Sequence, residues 1–193
     1  EGPGAPDLSA LKTTFDGNKL NGTKIPVLDG DIATHALVTA AENGGVSLVL
    51  VDLNQAGVKR TVVKTLDPTR SHAELEFTDV AGERIGEAGQ AGPLIDKLMD
   101  RAAVLVAFEQ TGGADRAVEM ATDYAKSRYA FGRPIGGYQA IKHKLADGWV
   151  KNQVARSNAY YGAWALSTDA DELPEAAAAA RVAASEAFWF ASK

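Results

Sequence analysis

The hydrophobic rhythm of this chain changes once, near residue 90, and that change limits the folds open to it. Before it, Ala73, Leu75 and Phe77 interleave with Glu74, Glu76 and Thr78. A period of two places successive side chains on opposite faces, so this run reads as a half-buried antiparallel strand within residues 72–80. Three further β-rich runs precede it, at residues 35–41, 46–53 and 58–66, divided by the turn-forming ENGG, NQAG and LDPTR. Asn43-Gly44-Gly45 reads as a hairpin turn. Asn21-Gly22-Thr23 matches a glycosylation sequon, yet Asn-Gly is read there as a hairpin turn too. Spacings this short imply a compact β barrel or sandwich.

Past GERIGEAGQAG (82–92), taken as a flexible link, the apolar spacing becomes three and four. Residues 94–128 carry Leu94, Leu98, Leu105, Val106, Val118 and Ala121, and residues 138–166 carry Ile141, Leu145, Trp149 and Val154. A third helix starts near Pro174, which suits a first helical turn, and runs through an alanine tract that favours helix. The expected fold class is α+β: an antiparallel β barrel or sandwich domain at 1–88, then an antiparallel helical bundle at 89–193. Two features look incomplete. A small β unit needs a partner surface, and Phe188, Trp189 and Phe190 at the last helix call for burial. The chain reads as part of a larger protein or assembly.

Composition removes several function classes. A formal charge of −5 with dispersed Lys and Arg argues against nucleic acid or an anionic membrane as partner. The absence of cysteine excludes disulfides, thiolate catalysis and Cys-based zinc sites. His35, His72 and His143 show no metal-ligand spacing, so no metal is expected. No apolar run approaches the roughly 20 residues that span a bilayer. The opening EGPGAPD has no signal-peptide character, and a cytoplasmic protein is expected. Gly86, Gly89 and Gly92 depart from the G-x-G-x-x-G spacing and lie in no βαβ unit. Glu109, near Asp100-Arg101 on one helix, is conceivable as a base but sits among residues expected on a solvated face. No Ser/His/Asp order stands out, so the catalytic residue is unknown.

RYAFGRPIGGYQ (128–139) joins the first two helices. As a connection it is covered by Gly132 as a helix C-cap, Pro134 as a helix block and Gly136-Gly137 as a tight turn. Arg128, Phe131 and Gln139 fit that account less well. A fork of donors, a flat apolar ring and an amide also suit a pyrophosphate joined to an adenine. Both readings stand on the residues alone.

The longer run YAKSRYAFGRPIGGYQAIKHKLAD resembles the Y-x-x-x-R-x-x-F-G-x-x-I-x-x-x-Q-x-x-x-x-x-L-A-D signature of acyl-CoA dehydrogenases. KLNGTKIPVLDGDIATHALVTA is similar to that family's entry into its middle β domain, and EGPGAPD looks like a variant of its E-P-G-x-G-S-D loop. The resemblance implies the middle β domain plus the first helices of the C-terminal helical domain. The family's N-terminal helical domain and its Q-x-x-G-G element are not in this sequence. It further implies FAD as cofactor, an acyl-CoA substrate and α,β-dehydrogenation of the thioester. The expected assembly is a homo- or hetero-oligomer, a dimer or tetramer, with FAD near the subunit interface. Carried over by position, Arg128, Phe131 and Gln139 reach the adenine and pyrophosphate of a neighbour's FAD, and Asp147 is structural.

This chain also departs from the family pattern. PVLDG stands where many members have W-I-T-N-G, so Pro26 cannot stack like an indole and the Leu28 side chain cannot hydrogen-bond flavin N5. Pro6 replaces a phosphate-contacting Ser. The family's alternative base position falls on Ala102, which leaves the catalytic Glu expected outside this chain. Two expectations follow: a flavin-binding part of an active enzyme, or a non-catalytic partner subunit of a heteromeric acyl-CoA dehydrogenase that supplies FAD contacts in trans.

Overall fold

The computed structural model describes residues 7–193, and the expectation attached to Pro6 lies outside them. The chain divides into two compact units that part between Ile95 and Asp96.

The first unit is one seven-stranded sheet. Its strands are β1 (Thr14–Phe15), β2 (Lys19–Leu28), β3 (His35–Glu42), β4 (Gly45–Asp52), β5 (Val58–Val62), β6 (His72–Ala81) and β7 (Glu83–Ile85). They lie in the order β5-β6-β2-β1-β3-β4-β7. All neighbours pair antiparallel except β1 with β3. Both halves of the sheet feed one core: Leu20, Leu75 and Phe77 from one side, Val38, Val49 and Val51 from the other. The sheet therefore rolls over its own apolar face. In β6, Ala73, Leu75 and Phe77 are buried, as a period of two requires.

Asn43 and Gly44, with φ of 51° and 77°, make the two-residue turn between β3 and β4. Positive φ at both positions matches the twist of the flanking strands. A guanidinium ties the β5 side of the sheet to its loops. Arg60 donates to the main-chain oxygens of Asp31 at 3.1 Å, Ala33 at 2.9 Å and Leu53 at 2.7 Å.

Two expectations for this unit are corrected. Asn21-Gly22 is no turn; it lies inside β2, at a register shift between Leu20 and Gly22 against β6. The tolerance of positive φ that marks Asn-Gly as a turn here serves a bulge. Gly22 has φ of 139°, and a Cβ built on it would sit 2.7 Å from Thr13 Cα. Nor is the stretch 82–92 a flexible link. Glu83–Ile85 pairs with β4, the Gly89 N–H donates to Ser47 Oγ at 2.9 Å, and the Ala91 N–H donates to Val46 O at 2.8 Å. Its glycines permit close main-chain packing against β4.

The second unit is built on α1 (Gly92–Ser127, which starts within the first unit), α2 (Gln139–Thr168) and α3 (Leu173–Ala191). The α2–α3 turn is left-handed at Asp169, φ 51°. Lys97 on α1 holds the Asp169 carboxylate at 2.9 Å, and that bond and charge keep the carboxyl below its ordinary pKa.

The seam of the bundle is made of small residues. The buried positions of α2 are Gly148, Asn152, Ala155, Ala159, Gly162 and Ala165, three or four apart. They meet Ala176, Ala180, Ala184 and Ala187 of α3, with Val104 and Ala107 added from α1. Of the bulky residues that announce the helical period, Leu94, Leu98, Leu105, Trp149 and Val154 are exposed, while Val106, Val118, Ile141 and Leu145 are half-buried. Alanine and glycine ridges let helix backbones approach closely, so dense packing replaces side-chain bulk and the large residues are left on the neighbouring row.

A polar link joins α2 to α1. Buried Asn152 donates to Thr111 O at 3.3 Å and to the Asp115 carboxylate, which also pairs with Arg156. The aromatic cluster of α3 is partly covered: Phe188 lies against Gly113 and Phe190 near Gly148, while Trp189 faces outward beside Lys193. Among the described residues, no helix is long and apolar enough to cross a membrane.

Both units yield a stability test. Gly22→Ala is expected to cost about 2 kcal/mol, through strained φ and the Thr13 contact, read as a lower denaturant midpoint. Ala159→Leu, which overfills the seam, is expected to cost about 1–3 kcal/mol in the same measurement. An exposed control, Ala178→Leu, should leave the midpoint nearly unchanged.

Candidate functional site

The connection from α1 to α2 is a folded device. α1 ends at Ser127, where Ser127 Oγ donates to the carbonyls of Asp123 at 3.0 Å and Tyr124 at 3.2 Å. The Arg128 N–H still bonds to Tyr124 O at 2.8 Å. The chain then forms a hairpin of β8 (Tyr129–Ala130) and β9 (Arg133–Pro134), with Tyr129 opposite Pro134 and Ala130 opposite Arg133. The Ile135 N–H extends the ladder to Arg128 O at 2.8 Å. A single 3-10 turn at Ile135–Gly137 leads into α2.

This corrects the local reading of the sequence. Gly132 is no helix cap; with Phe131 it forms the two-residue turn of the hairpin. Pro134 blocks helix but accepts an outer strand position, where its missing N–H is not required. The turn places Phe131 at φ 52° and Gly132 at φ 79°. Glycine adopts that conformation freely. A bulky residue there is an outlier, which costs roughly 1–3 kcal/mol and persists only where its surroundings enforce it.

The ring so displayed is 97% exposed. Arg128, at the α1 end of the hairpin, is exposed, and its guanidinium has no hydrogen-bond or ion-pair partner among the described residues. Gln139 opens α2 and is exposed as well. The first turn of α2 has no side-chain cap, so its leading N–H groups add unspent donors at the same connection. Arg128, Ala130, Arg133 and Ile135 occupy one face of the hairpin by strand alternation, with Tyr129 and Pro134 on the other. The structure thus brings Arg128, Phe131 and Gln139 to one exposed connection, with a cation, a bare ring and an amide uncommitted among the described residues. Those groups fit the dinucleotide end of FAD chemically: guanidinium and N–H donors for phosphate, a ring face for adenine.

Two neighbouring residues carry no signal in the sequence reading. Tyr138 Oη donates to Ala130 O at 2.8 Å, and the Arg133 guanidinium lies 4.1 Å from the centre of the Tyr138 ring. A Phe-Gly pair flanked by Tyr-Ala and Arg-Pro was the available clue, obscured because Pro134 argues against a strand. Asp147 is exposed and its carboxylate makes no ion pair or hydrogen bond among the described residues; the carboxylate that braces the bundle is Asp115. Ala102 and Glu109 both lie exposed on α1. Leu28 is exposed at the end of β2.

The family model for the acyl-CoA dehydrogenase C-terminal domain matches residues 92–193. Acyl-CoA dehydrogenase IpdE2 of Mycobacterium tuberculosis is 35% identical over 189 residues, covering 94% of this chain and 51% of that protein. A solved FAD-dependent dehydrogenase superimposes with a TM-score of 0.90 at 28% identity, covering 96% of this chain and 53% of its own. The solved Tcur3481-Tcur3483 steroid ACAD, as a G363A variant, superimposes with a TM-score of 0.80 at 28% identity, covering 93% and 48%. The chain spans about half the length of each. On the matched helical region and on likeness along nearly its whole length, this chain belongs to the acyl-CoA dehydrogenase family.

Proposed function

We propose that the chain is the FAD-binding middle β domain (1–88) and first C-terminal helices (89–193) of an enzyme that dehydrogenates an acyl-CoA thioester between Cα and Cβ. The observation that carries this reading is the hairpin: an aromatic residue held in a costly conformation and bare to solvent, beside an arginine whose side chain has no partner among the described residues. In a member of this family, that arrangement suits an adenine dinucleotide supplied across a subunit interface. Arg128 would hold pyrophosphate through charge-assisted bonds, Phe131 would cover adenine, and Gln139 would add amide contacts at the start of α2. FAD, when bound, supplies the hydride acceptor for the Cβ hydrogen. The base that removes the Cα proton is expected outside this chain, since Ala102 has no titratable group. The assembly in this reading is a dimer or tetramer, because contacts in trans require a neighbour.

A second reading has its own support. Leu28 and Pro26 depart from the flavin-side pattern, and the name of one structural neighbour joins two designations, Tcur3481-Tcur3483. In this version the chain is a non-catalytic partner subunit that lends Arg128, Phe131 and Gln139 to an FAD held mainly by a related polypeptide.

The same preparation separates the two. Yellow protein whose flavin is bleached by an acyl-CoA supports the enzyme; flavin acquired only with a related second polypeptide supports the partner subunit. In either case Arg128→Ala is expected to weaken FAD binding by about 2 kcal/mol, roughly thirtyfold in Kd. Unchanged affinity in an equilibrium titration would remove Arg128 from the site.

A further inference from the structure

The Phe131–Gly132 turn raises a question that the cofactor reading does not answer: what holds it. Two residues per strand make too short a hairpin to stand alone in water. Type I′ turns favour Asn, Asp or Gly at their first central position, where this chain has Phe131. The ring is 97% exposed, so packing of its own side chain does not fix the backbone. An outside brace is required.

Tyr138 meets that requirement at both shoulders of the turn. Its hydroxyl donates to the carbonyl of Ala130, the residue just before Phe131, at 2.8 Å. Its ring face carries the guanidinium of Arg133, the residue just after Gly132, at 4.1 Å. Ala130 and Arg133 are also the cross-strand pair that closes the turn. Tyr138 is itself anchored, because its N–H bonds to Ile135 O at 3.0 Å and its carbonyl accepts from Lys142 N–H at 3.1 Å in α2. The brace therefore connects the first turn of a thirty-residue helix to both sides of the strained pair.

We propose that Tyr138 is a positioning residue: by bonding Ala130 and stacking under Arg133 it locks the Phe131–Gly132 turn in its left-handed form, and so sets the grip of Phe131 and Arg128 on an adenine nucleotide. The ligand half of this statement rests on the cofactor reading above; the locking half does not. Arg133 has a further consequence here. Stacked on Tyr138, its guanidinium is held on the same hairpin face as Arg128, so the brace also fixes where a second positive charge sits.

Tyr138→Phe isolates the hydroxyl, since the ring and its stack with Arg133 remain. Hydrogen exchange of the whole chain should show the Ile135 amide exchanging about fivefold faster in this variant, with Ala180 in the bundle seam unchanged. ADP and FAD, titrated into the same protein, should bind about fivefold more weakly, while FMN, which has no adenine, should bind as before. Glycine needs no brace at positive φ, so in a Phe131→Gly background Tyr138→Phe should change neither exchange nor ADP affinity further.

Equal Ile135 exchange in Tyr138→Phe and the parent chain would overturn the proposal. So would faster exchange with ADP affinity unaltered, if Arg128→Ala still weakens ADP. If neither the parent chain nor its complex with a related polypeptide binds ADP, the cofactor reading fails separately, and the exchange result alone decides whether Tyr138 locks the turn.

Discussion

The contact on which the helical unit depends is the close approach of α2 and α3 along alanine and glycine. Ala155, Ala159 and Ala165 on one helix and Ala176, Ala180 and Ala184 on the other are fully buried. Short side chains bring the two backbones near each other, and many small dispersion contacts add up where individual hydrophobic volume is low. α1 joins the pair with Val104 and Ala107, and the Asp115–Asn152–Arg156 link sets its register. The hairpin at 129–134 is suspended between α1 and α2, so its position inherits the rigidity of that packing.

The hairpin reverses the usual economy of a turn. Asn43-Gly44 joins two eight-residue strands with residues suited to positive φ, and the result is a stable, unremarkable corner. Phe131-Gly132 has the same geometry with only two residues on each side and a bulky aromatic at its first position. A fold selected for stability alone would place Asn there. Strain of this kind is informative because it points to a side chain kept for what it presents outward.

Much of the architecture was legible from residues. The alternation in 72–80 and the turn at Asn43-Gly44 follow from periodicity and local φ preference, and the three helices follow from spacing and Pro174. Other parts were hidden for physical reasons. Gly22 belongs to a bulge because Thr13 presses on it, a contact nine residues away in sequence that no local pattern shows. The buried helix faces were obscured because hydrophobic size was a poor guide where the seam selects for smallness. Arg128, Phe131 and Gln139 stand out through the resemblance to the family signature, since on the residues alone a plain turn and a ligand grip both remain open. Tyr138 gives no local signal because its hydrogen bond to Ala130 exists only once the chain has doubled back.

An alanine seam has one more consequence, for what the surface can become. Alanine has no side-chain torsion to freeze on burial, so the interior of the helix pair forms with almost no loss of rotamer freedom. Trp149, Tyr161 and Trp164 stand outside it on α2. Their exchange for other shapes would leave the interlocked methyl groups undisturbed. The same scaffold is thereby free to diversify its outward contour over evolutionary time while its inner spacing stays constant.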